Sequence, residues 1–515
     1  RGPHGYYRVD EWNLGRELWN EKNILAIETA GYNVNSYYLL DQPSFLQAEL
    51  LVDGQVAAST AGQGQPFEAA VLTSRVQKVQ RYSFQRPFIE YYRLDSSWDA
   101  WRHVPAAAFP TVECTVTSAK NLLPRRIPYP DFSLRPPLTV LSQGKLTSQE
   151  APAQLWKDRS LTNIGPALKG FPEGELELVL SSDLQKIKSE SFQEIQQPYL
   201  SQKNMELAEN TFQIADLGTN LTGFIGCQVD CSQAATLILV FDEILTGQDV
   251  DFKRLGCVSA VGYELQPGKY SLESFEPYTF RYLKLLVLKG RCTITNIYLR
   301  EYADDQTGPA EFSCDDARLN QIFEAARQTF RQNAVDIFMD CPSRERAGWL
   351  CDSFFTARVA ADLNGHTAIE KNFLENFLLP EKFEFLPAGM LPMCYPADHN
   401  DGVFIPNWAM WFVLELPEYL TRSRDREMVD ALQPKVMALL EYFKSFQNED
   451  GLLEKLNSWV FVEWSKANEF TQDVNYPSNM LYAAVLETAG KLYGRTDLLA
   501  QAETIRQTIR EKSFD

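Results

Sequence analysis

The alternation of apolar and polar residues changes its period once along the chain, shortly after residue 310. Before that point, continuous apolar runs such as residues 236–241 and alternating runs such as residues 23–29 are separated by turn signals, among them Asp53-Gly54. Short strands with turns at this spacing are typical of antiparallel β-sandwiches. After that point, apolar residues recur with the period of 3.6 that is typical of helices. The first such stripe consists of Leu319, Ile322, Phe323, Ala326 and Phe330.

This change of period predicts a multidomain β + α chain with three parts. Residues 1–210 form a β-domain with an extended, proline-punctuated linker, in which residues 182–202 are either helix or loop. Residues 211–305 form a second β-sandwich, and residues 306–515 form a helical domain. After the first stripe, helices are expected at about 343–363, 366–378, 407–421, 425–447, 476–493 and 495–512. Helices with alternating short and long loops resemble part of an α/α toroid, and we expect the C-terminal part of that toroid to be missing.

The net charge of the chain excludes some classes of binding partner. The 515 residues contain 49 Lys and Arg against 68 Asp and Glu, which gives a net charge of −19. Such a surface repels phosphate backbones and anionic lipids, so neither nucleic acid nor a membrane is an expected partner. Nine cysteines without a CxxC pair and four scattered histidines give no support to a zinc site, and we predict no metal or cofactor. The oligomeric state is left open.

One thirteen-residue motif concentrates the chemistry of the chain: Asp340-Cys-Pro-Ser-Arg-Glu-Arg-Ala-Gly-Trp-Leu-Cys-Asp352. The residue before a proline avoids helical geometry, and proline suits the first turn of a helix. We therefore expect Asp340 on a loop and a helix from Ser343 onward. That helix would present Glu345, Trp349 and Asp352 on one face. Acids grouped beside an aromatic ring at a helix end are suited to holding a polar ligand.

Two interpretations of these acids remain open at the level of the residues. Glycoside hydrolysis needs one protonated carboxyl group for the leaving oxygen and, with inversion, a second carboxylate that activates water. Glu345 is the candidate acid: its acidic neighbours and burial against Trp349 would favour the protonated form, whereas the flanking arginines and a helix N-terminus would favour the ionised form. In the alternative, Asp340 caps a helix, the arginines pair with the acids, and Trp349 belongs to the core.

The motif resembles the signature of the α-L-rhamnosidases of glycoside hydrolase family 78. The resemblance extends to the helix that begins near Leu319, to Phe280-Arg281-Tyr282 in the second sandwich, and to residues 1–110, which look like a lectin-like sandwich. It implies two antiparallel β-sandwich domains followed by an (α/α)6 toroid, here incomplete. It also implies an inverting hydrolase that releases terminal α-L-rhamnose from rhamnose-containing oligosaccharides, polysaccharides or glycosides.

The resemblance implies a role for each residue of the motif. Glu345 matches the general acid of the family, and Trp349 matches an aromatic residue that lines the apolar face of the sugar. The residues that match ligands of the sugar hydroxyls are Asp340, Arg344 and Asp352.

Two later segments are expected on the same wall of the site. Glu463-Trp464 matches an acid–tryptophan pair that contacts the sugar, although a solvated Glu beside a core Trp would give the same pattern. Trp408 is a candidate substrate contact, and His399 in the loop before it is either a ligand of a sugar hydroxyl or a structural residue. The general base is expected on a toroid loop beyond residue 515, with Glu463 as the alternative inside these residues.

Two competing functions also fit the sequence. A non-catalytic carbohydrate-binding protein on the same scaffold would suit the two sandwiches and an aromatic content of 12%. A toroid hydrolase or lyase for another sugar is the second, but lyases rely on Tyr, His or Arg bases and a cation site, which the motif does not provide. A polymeric substrate favours a periplasmic or extracellular location, whereas free cysteines fit the cytoplasm equally well.

Overall fold

The computed structural model describes residues 1–16, 20–104, 109–150, 152, 154–308, 310–398, 402–470 and 473–513. Its strands are β1 (Tyr6–Val9), β2 (Glu49–Val52), β3 (Gln55–Ser59), β4 (Gln65–Pro66), β5 (Ala69–Ala70), β6 (Arg81–Ser83), β7 (Arg86–Phe88), β8 (Glu90–Leu94), β9 (Thr111–Val112), β10 (Asn121–Pro124), β11 (Leu134–Arg135), β12 (Thr139–Ser148), β13 (Ile187–Pro198), β14 (Met205–Ala208), β15 (Thr211–Cys231), β16 (Ala235–Asp242), β17 (Leu245–Thr246), β18 (Asp249–Val250), β19 (Ala260–Leu265), β20 (Gly268–Glu273), β21 (Tyr278–Lys289) and β22 (Arg291–Glu301). Its α-helices are α1 (Arg159–Thr162), α2 (Leu180–Leu184), α3 (Ala317–Asn333), α4 (Leu350–Asn364), α5 (Ala368–Leu378), α6 (Pro406–Ser423), α7 (Arg426–Ala431), α8 (Gln433–Lys444), α9 (Tyr476–Tyr493) and α10 (Thr496–Ser513).

The largest sheet is organised around the long strand β15. The strand order is β11-β22-β15-β21-β16-β19-β8, and β12, β13, β14 and β20 pair along its sides. The first half of β15 pairs with β12 and β21, and its second half pairs with β20 and β22. The β15–β21 register shifts between Asp216 and Leu221, where β15 changes partners. The two halves enclose one apolar core, to which Phe212, Ile225 and Leu285 contribute.

Continuous and alternating apolar runs behave differently in this β region. The run at 236–241 lies in β16, which is paired on both sides by β19 and β21, so its side chains are buried on both faces. Asp53-Gly54 forms the turn between β2 and β3, with φ of 47° and 77° as a tight hairpin requires. In contrast, residues 23–29 form no strand and are exposed.

Two further expectations for the β region differ from the structure. Residues 187–198 form the edge strand β13, where helix or loop was expected, and their polar character follows from exposure at the edge. The predicted domain boundary between residues 210 and 211 falls inside the main sheet, because β8 pairs with β19 and β12 pairs with β15. The remaining N-terminal strands form small sheets of two or three strands, namely β1-β10, β2-β3-β4, β5-β9 and β6-β7.

Three helices of the C-terminal region bring their N-termini to one place. α4, α6 and α9 pack side by side in that order, and the preceding helices α3, α5 and α7–α8 alternate with them. Pro406 opens α6, and Asn475 caps α9 by accepting a hydrogen bond from the Ser478 N–H. The loops that precede these three helices therefore share one mouth of the helical domain.

The predicted helices form, but one of them is broken in two and α4 begins later than predicted, at Leu350. The helix expected at 425–447 is divided into α7 and α8 at Leu432, and Pro434 lies in the first turn of α8, where no helical N–H bond is lost. α3 forms where the first apolar stripe predicts it, yet Leu319 and Ile322 are 48% and 63% exposed while Phe330 is buried. None of the described helices combines the length and the apolar character needed to cross a bilayer.

Candidate active site

The motif folds as a closed loop in front of α4. The Asp340 N–H donates to the Ala347 carbonyl at 3.0 Å, and the Ala347 N–H donates to Asp340 Oδ1 at 3.0 Å. Arg346 takes a left-handed conformation with φ of 58°, which no helix allows, and α4 begins only at Leu350. The expectation of a helix from Ser343 is therefore wrong, because the Asp340 carboxylate and the Arg346 turn hold the chain in a loop.

Glu345 lies inside this loop as a buried carboxylate with three donors. It is 5% exposed. Its Oε1 accepts hydrogen bonds from Arg344 Nη2 at 2.6 Å and from Gln85 Nε2 at 2.8 Å. Its Oε2 accepts one from the indole Nε1 of Trp349 at 2.8 Å. The carboxylate is thus oriented by one charged and two neutral donors, and not by its position on a helix face.

The two other acids of the motif lie close enough to feel the charge of Glu345. Burial, followed by that charge, raises the pKa of Asp340 to about 7. Burial also raises the pKa of Asp352 to about 6, with a smaller contribution from the same charge. Three carboxyl groups therefore share one poorly solvated region, which is the arrangement that separates protonation states in acid–base sites.

An aromatic wall extends from the motif across the neighbouring loops. Trp349 and Trp408 pack against the small apolar cluster of Met393, Ile405 and Phe461. The rings of Trp408 and Phe461 have centroids 4.8 Å apart. The ring of Phe461 also lies 4.9 Å from that of Trp464, which is 85% exposed. The loops before α4, α6 and α9 thus supply adjoining parts of one surface.

Asn407 fixes the relative position of two of these loops. Its Oδ1 accepts the Phe461 N–H at 3.1 Å, and its Nδ2 donates to the Ser478 Oγ of α9 at 2.9 Å. The loop that carries Trp464 is thereby joined to the first turns of α6 and α9. Because Asn407 is buried, these bonds are shielded from water and hold the aromatic wall in place.

The structure brings most of the predicted site residues together. Asp340, Arg344, Glu345, Trp349 and Asp352 lie in or directly after the motif loop, and Trp408 and Trp464 lie on the aromatic wall. Glu463 is exposed beside Trp464. His399 lies outside the described residues.

The helical residues 306–510 match the six-hairpin glycosidase domain of bacterial α-L-rhamnosidases. This helical part of the chain is therefore a domain of the bacterial α-L-rhamnosidase family. A curated α-L-rhamnosidase of Formosa agariphila is 23% identical over 270 residues, which cover 49% of this chain and 28% of that protein. The chain therefore matches well under half of the length of this curated relative.

Two solved structures share the fold of this chain. The family 78 rhamnosidase of Bacillus sp. GL1 superposes with a TM-score of 0.71 at 16% identity, covering 94% of this chain and 68% of that one. A rhamnosidase from Klebsiella oxytoca, solved with rhamnose bound, superposes with a TM-score of 0.53 at 19% identity, covering 74% of this chain and 72% of that one. The resemblance inferred from the motif is confirmed, and so is the fold class of β-sandwich followed by α/α toroid.

The N-terminal β region contributes to the site in a way that the sequence did not predict. Gln85, in the turn between β6 and β7, donates directly to Glu345. The neighbouring Arg86 donates from Nη1 to the Ser343 carbonyl of the motif loop at 2.8 Å. Tyr37 packs edge-on against Trp349 with ring centroids 5.8 Å apart. No spacing or composition signal marks these residues, because their role depends on contacts about 260 to 310 positions away in the sequence.

The described residues contain no group of three or more His, Cys, Asp or Glu side chains arranged to hold a metal ion. What the site offers instead is a set of carboxyl groups beside aromatic rings. This arrangement has the chemistry to hold a sugar ring, to transfer a proton and to bind hydroxyl groups.

Proposed function

We propose that the protein is a glycoside hydrolase that removes terminal α-L-rhamnose from rhamnose-containing oligosaccharides, polysaccharides or glycosides. The observation that carries the proposal is the environment of Glu345. It is a buried carboxyl group flanked by two acids and held by the indole of an aromatic wall. A general acid needs burial and a fixed direction of proton transfer, and this loop provides both.

We assign Glu345 as the general acid of an inverting displacement. In that mechanism it protonates the leaving oxygen while a second carboxylate, about 6.5–9.5 Å away, activates water on the opposite face of the sugar. Within these residues Glu463 is the candidate base, because it is an exposed carboxylate beside Trp464 on the same wall. Asp340, Arg344 and Asp352 are the candidate ligands of the sugar hydroxyls.

The aromatic wall is assigned to the apolar face of the sugar. Trp349 and Trp408 would line the ring and its methyl group, and Trp464 would extend the surface toward solvent. The indole Nε1 of Trp408 has no hydrogen-bond partner among the described residues, and neither has Nε of Arg344. Both are donors that a hydroxyl group of a bound sugar would satisfy.

A carbohydrate-binding protein without catalysis is the second candidate function. It is favoured by one observation: all three donors around Glu345 satisfy it as a carboxylate, which is also how a purely binding acid is held. A binding protein would retain rhamnosides without releasing sugar, whereas a hydrolase would release it. The two functions therefore differ in turnover and not in affinity.

The deciding experiment screens the purified protein against a panel of aryl glycosides and follows the released sugar by proton NMR. We expect turnover of an α-L-rhamnoside, with the β-anomer of rhamnose appearing first because the configuration inverts. Absence of turnover on every rhamnoside, with retained binding of rhamnose, would support the binding protein. Initial release of the α-anomer would support hydrolysis and exclude inversion.

A further inference from the structure

We propose that Gln85 is a positioning residue that fixes which oxygen of Glu345 carries the transferred proton. The inference rests on the proposed function of Glu345 as the acid and goes beyond it. It assigns a role to the β6–β7 turn of the N-terminal β region, 260 residues before the motif, in the chemistry of the helical domain.

The two oxygens of the Glu345 carboxylate differ in the number of hydrogen bonds that they accept. Oε1 of Glu345 accepts from Arg344 at 2.6 Å and from Gln85 at 2.8 Å. Oε2 accepts only from Trp349, at 2.8 Å, among the described residues. A carboxylate oxygen offers about two lone-pair positions. Both positions are therefore occupied on Oε1, and one stays open on Oε2, so the proton is placed on Oε2.

The backbone of the turn that carries Gln85 is held by hydrogen bonds on both sides. The Gln85 N–H donates to Ser83 Oγ at 3.2 Å, and the Gln85 carbonyl accepts the Tyr37 N–H at 3.0 Å. The next residue, Arg86, donates to the Ser343 carbonyl at 2.8 Å and to the Pro277 carbonyl at 3.0 Å. The turn is thus attached to both the motif loop and the main sheet.

Gln85 also has the burial that a positioning residue needs. It is 5% exposed, so water does not replace its hydrogen bond when the amide is removed. Its loss leaves Oε1 with only the Arg344 donor, and the proton then has an open position on either oxygen. We expect slower protonation of poor leaving groups without an equal loss of sugar binding, so kcat falls more than KM changes.

A titration of the Trp349 indole tests the inference without relying on turnover. The variants are Gln85→Met, which keeps the length and removes the donor, and Gln85→Glu, which keeps the shape and adds a second carboxylate. The matched control is Gln80→Met: Gln80 is equally buried in the same region, but its Oε1 accepts the Ser181 N–H and does not contact Glu345. In tryptophan-labelled protein, the indole N–H signal assigned by Trp349→Phe is followed from pH 4 to pH 9.

The expected result is a displaced titration. Removing a donor from the ionised form favours protonation, so the midpoint of the Trp349 signal should move to higher pH by about 1 unit in Gln85→Met, and further in Gln85→Glu. Gln80→Met should titrate like the wild-type protein. The alkaline limb of kcat/KM on rhamnosides should move in the same direction.

Two results would overturn the inference. One is a Trp349 midpoint that is the same in both Gln85 variants as in the wild-type protein. The other is an equal displacement in Gln80→Met, which would indicate a general effect of losing a buried amide. A wild-type protein that hydrolyses no rhamnoside would contradict the proposed function alone, because the indole titration still reports whether Gln85 controls Glu345. If Gln85→Met does not fold, the isosteric Gln85→Glu decides the question.

Discussion

Two groups of neighbouring carboxyl groups, each buried or half-buried, lie in the helical domain, and they differ in what surrounds them. The motif cluster consists of Asp340, Glu345 and Asp352 at the shared mouth of α4, α6 and α9. The inner cluster consists of Glu370 on α5 and Glu415 and Glu418 on α6. Burial and the charge of a neighbouring acid raise the pKa of Asp340 and Asp352 in the motif cluster and of Glu370 and Glu415 in the inner cluster.

Two acids of the inner cluster form ion pairs with an arginine. Arg422 Nη2 donates to Glu370 Oε1 at 2.6 Å, and Arg422 Nη1 lies 3.2 Å from Glu418 Oε2. Glu415 is fully buried beside them, and burial together with the charge of Glu370 raises its pKa well above its usual range.

The comparison shows that a perturbed carboxyl group does not by itself indicate a catalytic site. The motif cluster combines its acids with an indole donor, an amide from another domain region and an aromatic wall that reaches solvent at Trp464. The inner cluster combines its acids with two arginines, Arg358 and Arg422. Access and uncommitted donors distinguish the site from a structural ion network.

The largest expected effect comes from removing the acid of the motif cluster. Glu345→Gln keeps the acceptor for Trp349 or Gln85 but has no transferable proton, so hydrolysis of alkyl rhamnosides should fall by about 100- to 10,000-fold. Aryl rhamnosides with good leaving groups need little protonation and should lose far less. Steady-state kinetics on one substrate of each kind measure the difference.

Glu415→Gln serves as the matched control for that experiment. It removes a carboxyl group of equal burial on α6 and should leave the kcat/KM of both substrates near the wild-type value. Equal losses on alkyl and aryl rhamnosides in Glu345→Gln would contradict the acid assignment. A loss of activity in Glu415→Gln comparable to that in Glu345→Gln would contradict the distinction between the two clusters.

A smaller effect is expected from Asp352, in the first turn of α4. A hydrogen bond to a charged group contributes about 1.5–3 kcal/mol, so Asp352→Asn should lower kcat/KM by roughly 10- to 100-fold if the carboxylate binds a sugar hydroxyl in the transition state. Asp362→Asn, an exposed position on the same helix, is the control. An unchanged kcat/KM in Asp352→Asn would place its side chain outside the substrate pocket.

The features that depend on short stretches of sequence, namely the helices and the motif, were predicted from the sequence. The period of 3.6 predicted the helices from α3 to α10 to within a few residues, apart from the start of α4 and the break at Leu432. The thirteen residues of the motif were enough to identify the family, because a motif of that length and mixed composition is rarely matched by chance. Trp349 was singled out within the motif, Trp464 by the resemblance of its own segment to the family, and Trp408 by its place where a loop joins a helix start.

The features that the sequence did not predict depend on contacts between residues that are distant in the sequence. Arg346 adopts φ of 58° without being glycine, since the loop is fixed by Asp340 and by the bridge between Trp349 and Cys394. Gln85 lies in an unremarkable polar stretch, and only the packing of the β region on the toroid brings it to Glu345. Neither propensity nor periodicity carries this information, so both the loop and its N-terminal support required the structure.

The smallest expected effect is a change in the free energy of unfolding. Its sign differs between Glu415 and Glu418, two members of the inner cluster. Burial raises the pKa of Glu415 in the folded protein above its value in the unfolded protein. Keeping this carboxyl group inside the fold therefore costs no stability at a pH below the unfolded pKa, and the cost grows as the pH rises toward the folded pKa. Glu415→Gln cannot ionise and should therefore be roughly 1–3 kcal/mol more stable than the wild-type protein at pH 8 and nearly equal to it at pH 4.

Glu418 provides the opposite case on the same helix. The hydrogen bond from Arg358 lowers the pKa of Glu418 in the folded protein. The ionised carboxylate therefore stabilises the fold at a pH above the unfolded pKa, and this stabilisation is lost as the pH falls. Glu418→Gln should therefore be slightly less stable than the wild-type protein at pH 8, with the difference disappearing toward pH 4.

Thermal midpoints from circular dichroism between pH 4 and pH 8 measure both variants, with about 2–4 °C expected for each kcal/mol in a domain of this size. Parallel curves for Glu415→Gln and the wild-type protein would mean that Glu415 stays ionised inside the fold, and the inner cluster would then be a paired ion network like that of Glu418.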